Sequence, residues 1–126
     1  MNYSTEVRQR FLAPARAGTI PSDAGDVVDG VAEDRSLKIW VRFQLQVYGT
    51  TIERVRYQLY GCPHSLAAAD MLACELEGKS VNALSNIDLE TLAGQIDLPR
   101  EKLGRLLRIE DALATCHAQV VAEERE

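Results

Sequence analysis

The residues best suited to chemistry lie where a β-rich run passes into an alanine-rich helix. Gly61 ends the run, Cys62 follows it, and His64 stands two residues further on. A cysteine at the start of a helix faces unpaired backbone N–H groups, which favour the thiolate, the form that attacks electrophiles and binds metals. The pattern therefore favours the thiolate at Cys62, and two interpretations of the residue stay open: a reactive thiol, or a turn residue without chemistry. For His64 two interpretations stay open: a second metal ligand, or a surface residue that caps the first turn of the helix.

Two runs with apolar residues at alternate positions precede this motif. They cover residues 37–47 and 51–60, and a short turn at 48–50 joins them. We therefore expect an antiparallel hairpin with one apolar face. The preceding stretch, 13–34, is rich in glycine, proline and acidic residues, which predicts irregular chain with one short strand near Val27 and Val28.

Helical patterns lie on both sides of the hairpin, and their boundaries carry recognisable caps. Ser4 and Pro14 suit the two ends of a first helix, Gly78 suits the end of the helix after Cys62, and Asp88 suits the start of a later one. The predicted helices are 3–12, 64–77, 80–84, 88–95 and about 100–123. This order predicts one α+β domain over residues 1–126, with a small antiparallel sheet of about three strands and helices packed on one face.

Composition narrows the class of protein. A chain of 126 residues with 46% hydrophobic residues is long enough for a single core. The net charge of −5 argues against a nucleic-acid partner, because phosphate binding needs a basic surface. No apolar run approaches the roughly 20 residues of a membrane span, and the first residues lack a signal-peptide pattern. Three cysteines without framework spacing indicate free thiols in the cytoplasm.

Several motifs, taken in order, resemble the U-type iron–sulfur cluster assembly scaffold family, which includes IscU and the N-terminal domain of NifU. Tyr60-Gly61-Cys62 is similar to the Gly-Cys motif of the family, and residues 76–80 are similar to its Gly-Lys-Ser/Thr helix end. Leu98-Pro99, followed by Lys102-Leu103, resembles the last loop and helix. The resemblance implies the α+β fold of the family and a role in assembling clusters between a sulfur donor and a recipient protein.

The chain departs from the family at the cluster site, where members use three cysteines, an aspartate and often a histidine. Cys62 is the only cysteine that matches, and Asp34 lies at the position of the aspartate. Gly104 and Arg105 stand where the family has its His-Cys pair. A [2Fe–2S] cluster or a structural zinc ion needs about four ligands. The implied set of Cys62, Asp34 and His64 therefore needs further ligands from a partner or a second copy of the chain.

Three functions remain open at this stage. The first is a scaffold-like protein that binds iron or a cluster, with zinc as the alternative metal, or accepts sulfur at Cys62; its partners would be a cysteine desulfurase and other assembly factors. The second is an interaction or regulatory module that kept the fold and lost cluster binding. The third, an enzyme with Cys62 as nucleophile, is disfavoured because His64 is the only nearby base and no third group orients it. Only part of the chaperone-recognition loop remains at 98–102, so chaperone docking is not predicted.

The remaining candidates have plain alternatives. Asp34 is either a ligand or one more carboxylate of an acidic loop. Cys74 and Cys116 occupy positions typical of packing residues, with Cys116 on the apolar stripe of the last helix, and His117 is expected to point away from that stripe.

Overall fold

The computed structural model describes residues 3–21 and 25–124 of the chain. The strands are β1 (Val27–Asp34), β2 (Ile39–Tyr48) and β3 (Thr51–Tyr60). The α-helices in the described residues are α1 (Thr5–Leu12), α2 (Pro63–Leu76), α3 (Leu89–Gln95) and α4 (Leu103–Glu124), with short 3-10 helices at Val81–Ser85 and Arg100–Lys102. The predicted α+β class, with an antiparallel sheet and helices on one face, is confirmed.

The sheet has the order β1-β2-β3 and both of its pairings are antiparallel. Alternation in β2 buries Ile39, Val41, Phe43 and Leu45 on one face and leaves polar neighbours on the other. Gly49 turns the predicted hairpin with a positive φ of 63°, a conformation that glycine adopts without a steric penalty. The period-two pattern therefore located this hairpin correctly.

The first strand is longer than predicted. Where the sequence suggested a short strand near Val27, β1 runs for eight residues and pairs with β2 along its whole length. Its acidic residues and Gly30 obscured the pattern, and Gly30 has a packing reason. A Cβ at Gly30 would lie 2.1 Å from the Ala112 carbonyl oxygen of α4 and 2.9 Å from the Cys116 sulfur. Glycine is required here because α4 crosses directly over the strand.

The helices cover the apolar face of the sheet. α4 packs across β1 and β2, α2 packs on β3, and α1 packs on α2. The predicted stripe of α4 is buried, with Leu106, Ile109 and Leu113 fully removed from water. Each such side chain contributes about 1.5–3 kcal/mol on burial. The sequence pattern of the last helix therefore identified the main contact between sheet and helices.

The helix ends follow the predicted caps with small shifts. The Ser4 hydroxyl accepts from the Val7 N–H at 3.2 Å, the Asp88 carboxylate accepts from Thr91, and Gly78 after α2 has a φ of 86°. The predicted helix at 80–84 is a 3-10 helix, and the predicted last helix opens with a 3-10 turn before α4. Tyr3 lies outside the first helix, which begins after the Ser4 cap.

Residues 16–20 add order to the stretch predicted to be irregular. The Gly18 N–H donates to the Tyr57 carbonyl, and Ala17 forms a parallel bridge with Tyr57 at the free edge of β3. The Ile20 N–H then donates to the Gln44 side chain on the outer face of the sheet. No helix in the described part of the chain combines the length and apolar character that crossing a bilayer requires.

Candidate functional site

Three chain segments meet around the Gly-Cys motif. Gly61 leaves β3 so close to its neighbours that a Cβ would lie 3.2 Å from Leu59 and 3.6 Å from Ile39 at the start of β2. The turn between β1 and β2 also contacts α4, because a Cβ at Gly104 would lie 3.2 Å from the Leu37 side chain. The end of β3, the β1–β2 turn and the start of α4 therefore form one corner of the molecule.

Cys62 is the N-cap residue of α2, and its thiol is half-buried. The Ser65 hydroxyl lies 3.3 Å from its sulfur and is hydrogen-bonded to it. Burial alone would raise the pKa of the thiol, but hydrogen bonding from Ser65 and the charges of Lys102 and Arg105 outweigh it and lower the pKa below its ordinary value. The predicted thiolate-favouring environment is thus present, with Lys102 as a contributor that the sequence reasoning had missed.

The structure contradicts one of the two interpretations of His64, the surface residue, because only 3% of the residue is exposed. The Tyr3 ring packs edge-on against the imidazole with 4.8 Å between centroids. Nδ1 of the imidazole lies 3.2 Å from the Lys102 ammonium. An ammonium only donates hydrogen bonds, so Nδ1 accepts and the ring proton of a neutral imidazole resides on Nε2. Burial, and after it the charge of Lys102, lowers the pKa of His64.

Asp34 is the last residue of β1, and its carboxylate is committed to the following turn. Oδ1 accepts from the Ser36 hydroxyl at 2.6 Å and from the Leu37 N–H at 3.1 Å. These hydrogen bonds, with a smaller effect from Arg108, hold the pKa of Asp34 below its ordinary value. The side chain therefore acts as a turn cap at the edge of the corner.

The donor set of this corner does not suit a metal centre. In the described ranges 3–21 and 25–124, no group of three or more His, Cys, Asp or Glu side chains is placed to hold a metal ion, so Cys62, Asp34 and His64 do not form one. Nδ1 of His64 already accepts from an ammonium, and two positive side chains act on the Cys62 sulfur. A cluster or a zinc ion requires about four ligands. Among the residues that the structure describes, the side chains of this corner do not supply that number of ligands by themselves.

The other two cysteines, Cys74 and Cys116, are partly or fully buried in the fold. Cys116 is fully buried, which confirms the packing prediction, and burial raises the pKa of its thiol to about 12. Cys74 is only partly buried, and its sulfur accepts a hydrogen bond from the Arg10 guanidinium at 3.3 Å. His117, next to Cys116, is partly exposed on α4. The pKa of the Cys62 thiol is thus lowered, whereas that of the Cys116 thiol is raised.

A buried carboxylate beneath α1 was missed by the sequence reasoning. Asp70 is 0% exposed and accepts from Arg10 at 2.8 Å, from the Arg16 backbone N–H at 2.9 Å and from the Tyr57 hydroxyl at 3.1 Å. An acidic residue directly after three alanines on the buried side of a predicted helix was the available signal. This network joins α1, α2, β3 and the segment after α1, so it holds α1 beside the Cys62 corner.

Comparison with known proteins agrees with the fold. Residues 2–123 match the model of the family described as NifU-like N terminal domain. The iron sulfur cluster assembly protein 1 of Trachipleistophora hominis is 25% identical over 112 residues, which cover 89% of this chain and 81% of that protein. The iron–sulfur cluster assembly scaffold protein IscU of Escherichia coli is 25% identical over 114 residues, which cover 90% of this chain and 89% of that protein.

Structural comparison gives the same fold at lower identity. The N-terminal part of a nitrogen-fixing NifU-like protein from Brucella abortus superimposes with a TM-score of 0.74 and 14% identity, covering 98% of this chain and 95% of that chain. The family model matches nearly the whole length of the chain. The chain belongs to the NifU-like N-terminal domain family.

Proposed function

We propose that this protein is an iron–sulfur cluster assembly scaffold-like protein that receives a sulfur atom on Cys62. The observation that carries the proposal is the surroundings of that thiol: a helix N-cap, a hydrogen bond to Ser65, and the charges of Lys102 and Arg105. Family membership supports a role in iron–sulfur cluster assembly, because relatives of this chain are named as assembly scaffolds.

The chemistry is the transfer of one sulfur atom from a persulfide donor, for which a cysteine desulfurase is the natural partner. The Cys62 thiolate attacks the outer sulfur of the persulfide of the donor. A new S–S bond forms at Cys62, the S–S bond of the donor breaks, and the donor leaves as a thiolate, so no net oxidation occurs. The positive charges that stabilise the thiolate also stabilise the negative terminal sulfur of the product.

Iron and a finished cluster are cargo in this proposal. Cys62 is one thiolate, while Asp34 and His64 are engaged in hydrogen bonds to Ser36 and Lys102. The remaining donors would come from a second copy of the chain, a desulfurase or another assembly factor. Cluster formation is therefore expected in a complex.

The test is sulfur loading without iron. The protein is incubated anaerobically with a cysteine desulfurase and cysteine, and intact mass spectrometry with persulfide-specific alkylation locates added sulfur. We expect one added sulfur atom on Cys62, its loss in Cys62→Ser, and its retention in the matched variant Cys74→Ser. Equal loading of Cys62→Ser and the wild type would refute the proposal.

A second function, an interaction or regulatory module without sulfur chemistry, is favoured by a separate observation. An apolar cavity of about 250 Å³ opens beside α1 and is lined by Tyr3, Val7, Phe11, Leu12 and Pro63 among others. Leu12 is 81% exposed. A desulfurase that binds the wild type and Cys62→Ser equally, binds Leu12→Ser less, and transfers no sulfur would favour this second function.

A further inference from the structure

The contact between His64 and Lys102 has no role in the sulfur transfer to Cys62, although both residues belong to the same corner. The imidazole of His64, two residues after Cys62, accepts a hydrogen bond from the Lys102 ammonium with 3.2 Å between Nδ1 and Nζ. Lys102 belongs to the 3-10 turn before α4, 38 residues further along the chain. The contact therefore fixes the position of a cation that comes from a different element.

The imidazole is itself held firmly. His64 is 3% exposed in the first turn of α2, directly after Pro63, and its ring meets the Tyr3 ring edge-on. The Lys102 ammonium also lies 5.8 Å from the centroid of the Tyr3 ring, within the range of a cation–π contact. Tyr3 and His64 thus present an aromatic face and a nitrogen acceptor to the same ammonium.

Lys102 is the charge that matters more to the thiol. Of the two cations that stabilise the Cys62 thiolate, Lys102 has the larger effect and Arg105 the smaller. A lysine side chain has a flexible four-carbon chain and a strongly hydrated ammonium group, so an unrestrained ammonium would occupy many positions. An acceptor that holds the ammonium near the sulfur would convert a mobile charge into a fixed one.

We propose that His64 is a positioning residue, whose Nδ1 holds the Lys102 ammonium where its charge acts on the Cys62 sulfur. The inference deepens the proposed function and rests on it only in taking Cys62 as the working thiol. His64 does not serve as the base for this thiol, because its accepting nitrogen is occupied by the ammonium and its other nitrogen carries the proton.

The charged and titratable groups around His64 are those of the corner already described. Tyr3 before α1 and Lys102 in the 3-10 turn contact His64, Cys62 precedes it by two residues, and Arg105 in α4 acts on the Cys62 sulfur. Protonation of His64 would remove the acceptor and place a second cation beside the ammonium. The arrangement therefore uses Nδ1 of a neutral His64 as the acceptor.

The test measures the rate of Cys62 alkylation by iodoacetamide as a function of pH, with the full-length protein and no iron or desulfurase. Asn and Gln at position 64 make a matched pair, because the Asn amide oxygen lies near the position of Nδ1 and the Gln oxygen lies one carbon further out. We expect His64→Gln and His64→Leu to slow alkylation at pH 7 roughly three- to tenfold, as loss of a nearby positive charge does. His64→Asn should retain most of the wild-type rate.

A double-mutant comparison separates positioning from a structural effect. Lys102→Met should slow alkylation to a similar degree, and adding His64→Gln to Lys102→Met should then change little. Equal rates for His64→Asn, His64→Gln and the wild type would overturn the proposal, and so would full additivity with Lys102→Met. Since no sulfur is transferred in this assay, its failure is distinguishable from failure of sulfur loading on Cys62.

Discussion

Replacing Asp70 by alanine tests the network that holds α1 against α2. The carboxylate is fully buried and accepts hydrogen bonds from the Arg10 guanidinium at 2.8 Å, the Arg16 N–H and the Tyr57 hydroxyl. Asp70→Ala leaves a cation and a buried hydroxyl without this acceptor. Loss of one partner of a buried ion pair costs about 3–5 kcal/mol. The Arg10 side chain is 26% exposed and also pairs with Glu6, so we expect the lower end, about 3 kcal/mol.

The pH dependence gives this prediction a second measurement. Burial of Asp70 opposes ionisation, but the hydrogen bonds from Arg10 and its other partners outweigh it and lower the pKa of the carboxyl. A lowered pKa means that the stabilisation is complete above the unfolded-state value of about 3.9 and is lost as the pH falls through the folded-state value. The difference in unfolding free energy between the wild type and Asp70→Asn should therefore shrink in acid.

Urea unfolding at several pH values, followed by circular dichroism, measures both effects. Glu6→Ala is the control: it removes only the partly exposed ion pair with Arg10, four residues along the same helix, and should cost about 0.5 kcal/mol or less. A cost below about 1 kcal/mol for Asp70→Ala, or a difference for Asp70→Asn that is unchanged in acid, would refute the assigned role of this network.

Further predictions concern packing and thiol reactivity. Gly30→Ala should destabilise the fold by about 1–3 kcal/mol because its Cβ would meet the backbone of α4. Gly94→Ala, in α3 with open space around it, should instead stabilise the fold by about 0.5–1 kcal/mol. Thermal unfolding distinguishes the two variants, and equal effects would contradict the close crossing of α4. Native Cys116 should resist alkylation until the protein unfolds, because it is buried and its thiol pKa is raised to about 12; rapid labelling of Cys116 in the native state would show that α4 leaves the sheet. Arg105→Glu should slow the alkylation of Cys62 at pH 7, because a negative charge near the sulfur disfavours the thiolate; an unchanged rate would exclude Arg105 from the electrostatics of the site.

Much of the fold follows from local patterns in the sequence. The hairpin and α4 are strongly periodic, and Ser4 and Asp88 cap helices as expected. The length of β1 could not be predicted, because Gly30 breaks the pattern for a reason that depends on α4, far along the chain.

The candidate site likewise has a part that the sequence predicts and a part that it does not. The position of Cys62 at a helix start follows from neighbouring residues, and the structure agrees. The burial of His64 does not, since it depends on Tyr3 and Lys102, which come from two other elements. The buried environment of Asp70 likewise depends on Arg10 and Tyr57. Long-range partners of polar residues leave no periodic signal in a single sequence.

The proposal that Cys62 receives sulfur is tested by measuring the sulfur and iron bound per chain. The protein is incubated anaerobically with a cysteine desulfurase, cysteine and ferrous iron, and the desulfurase is then removed. We expect sulfur on Cys62 without bound iron in the isolated chain, and no sulfur on Cys62→Ser. Iron and sulfide bound in equal amounts to the isolated wild-type chain, with the visible absorption of a cluster, would contradict it.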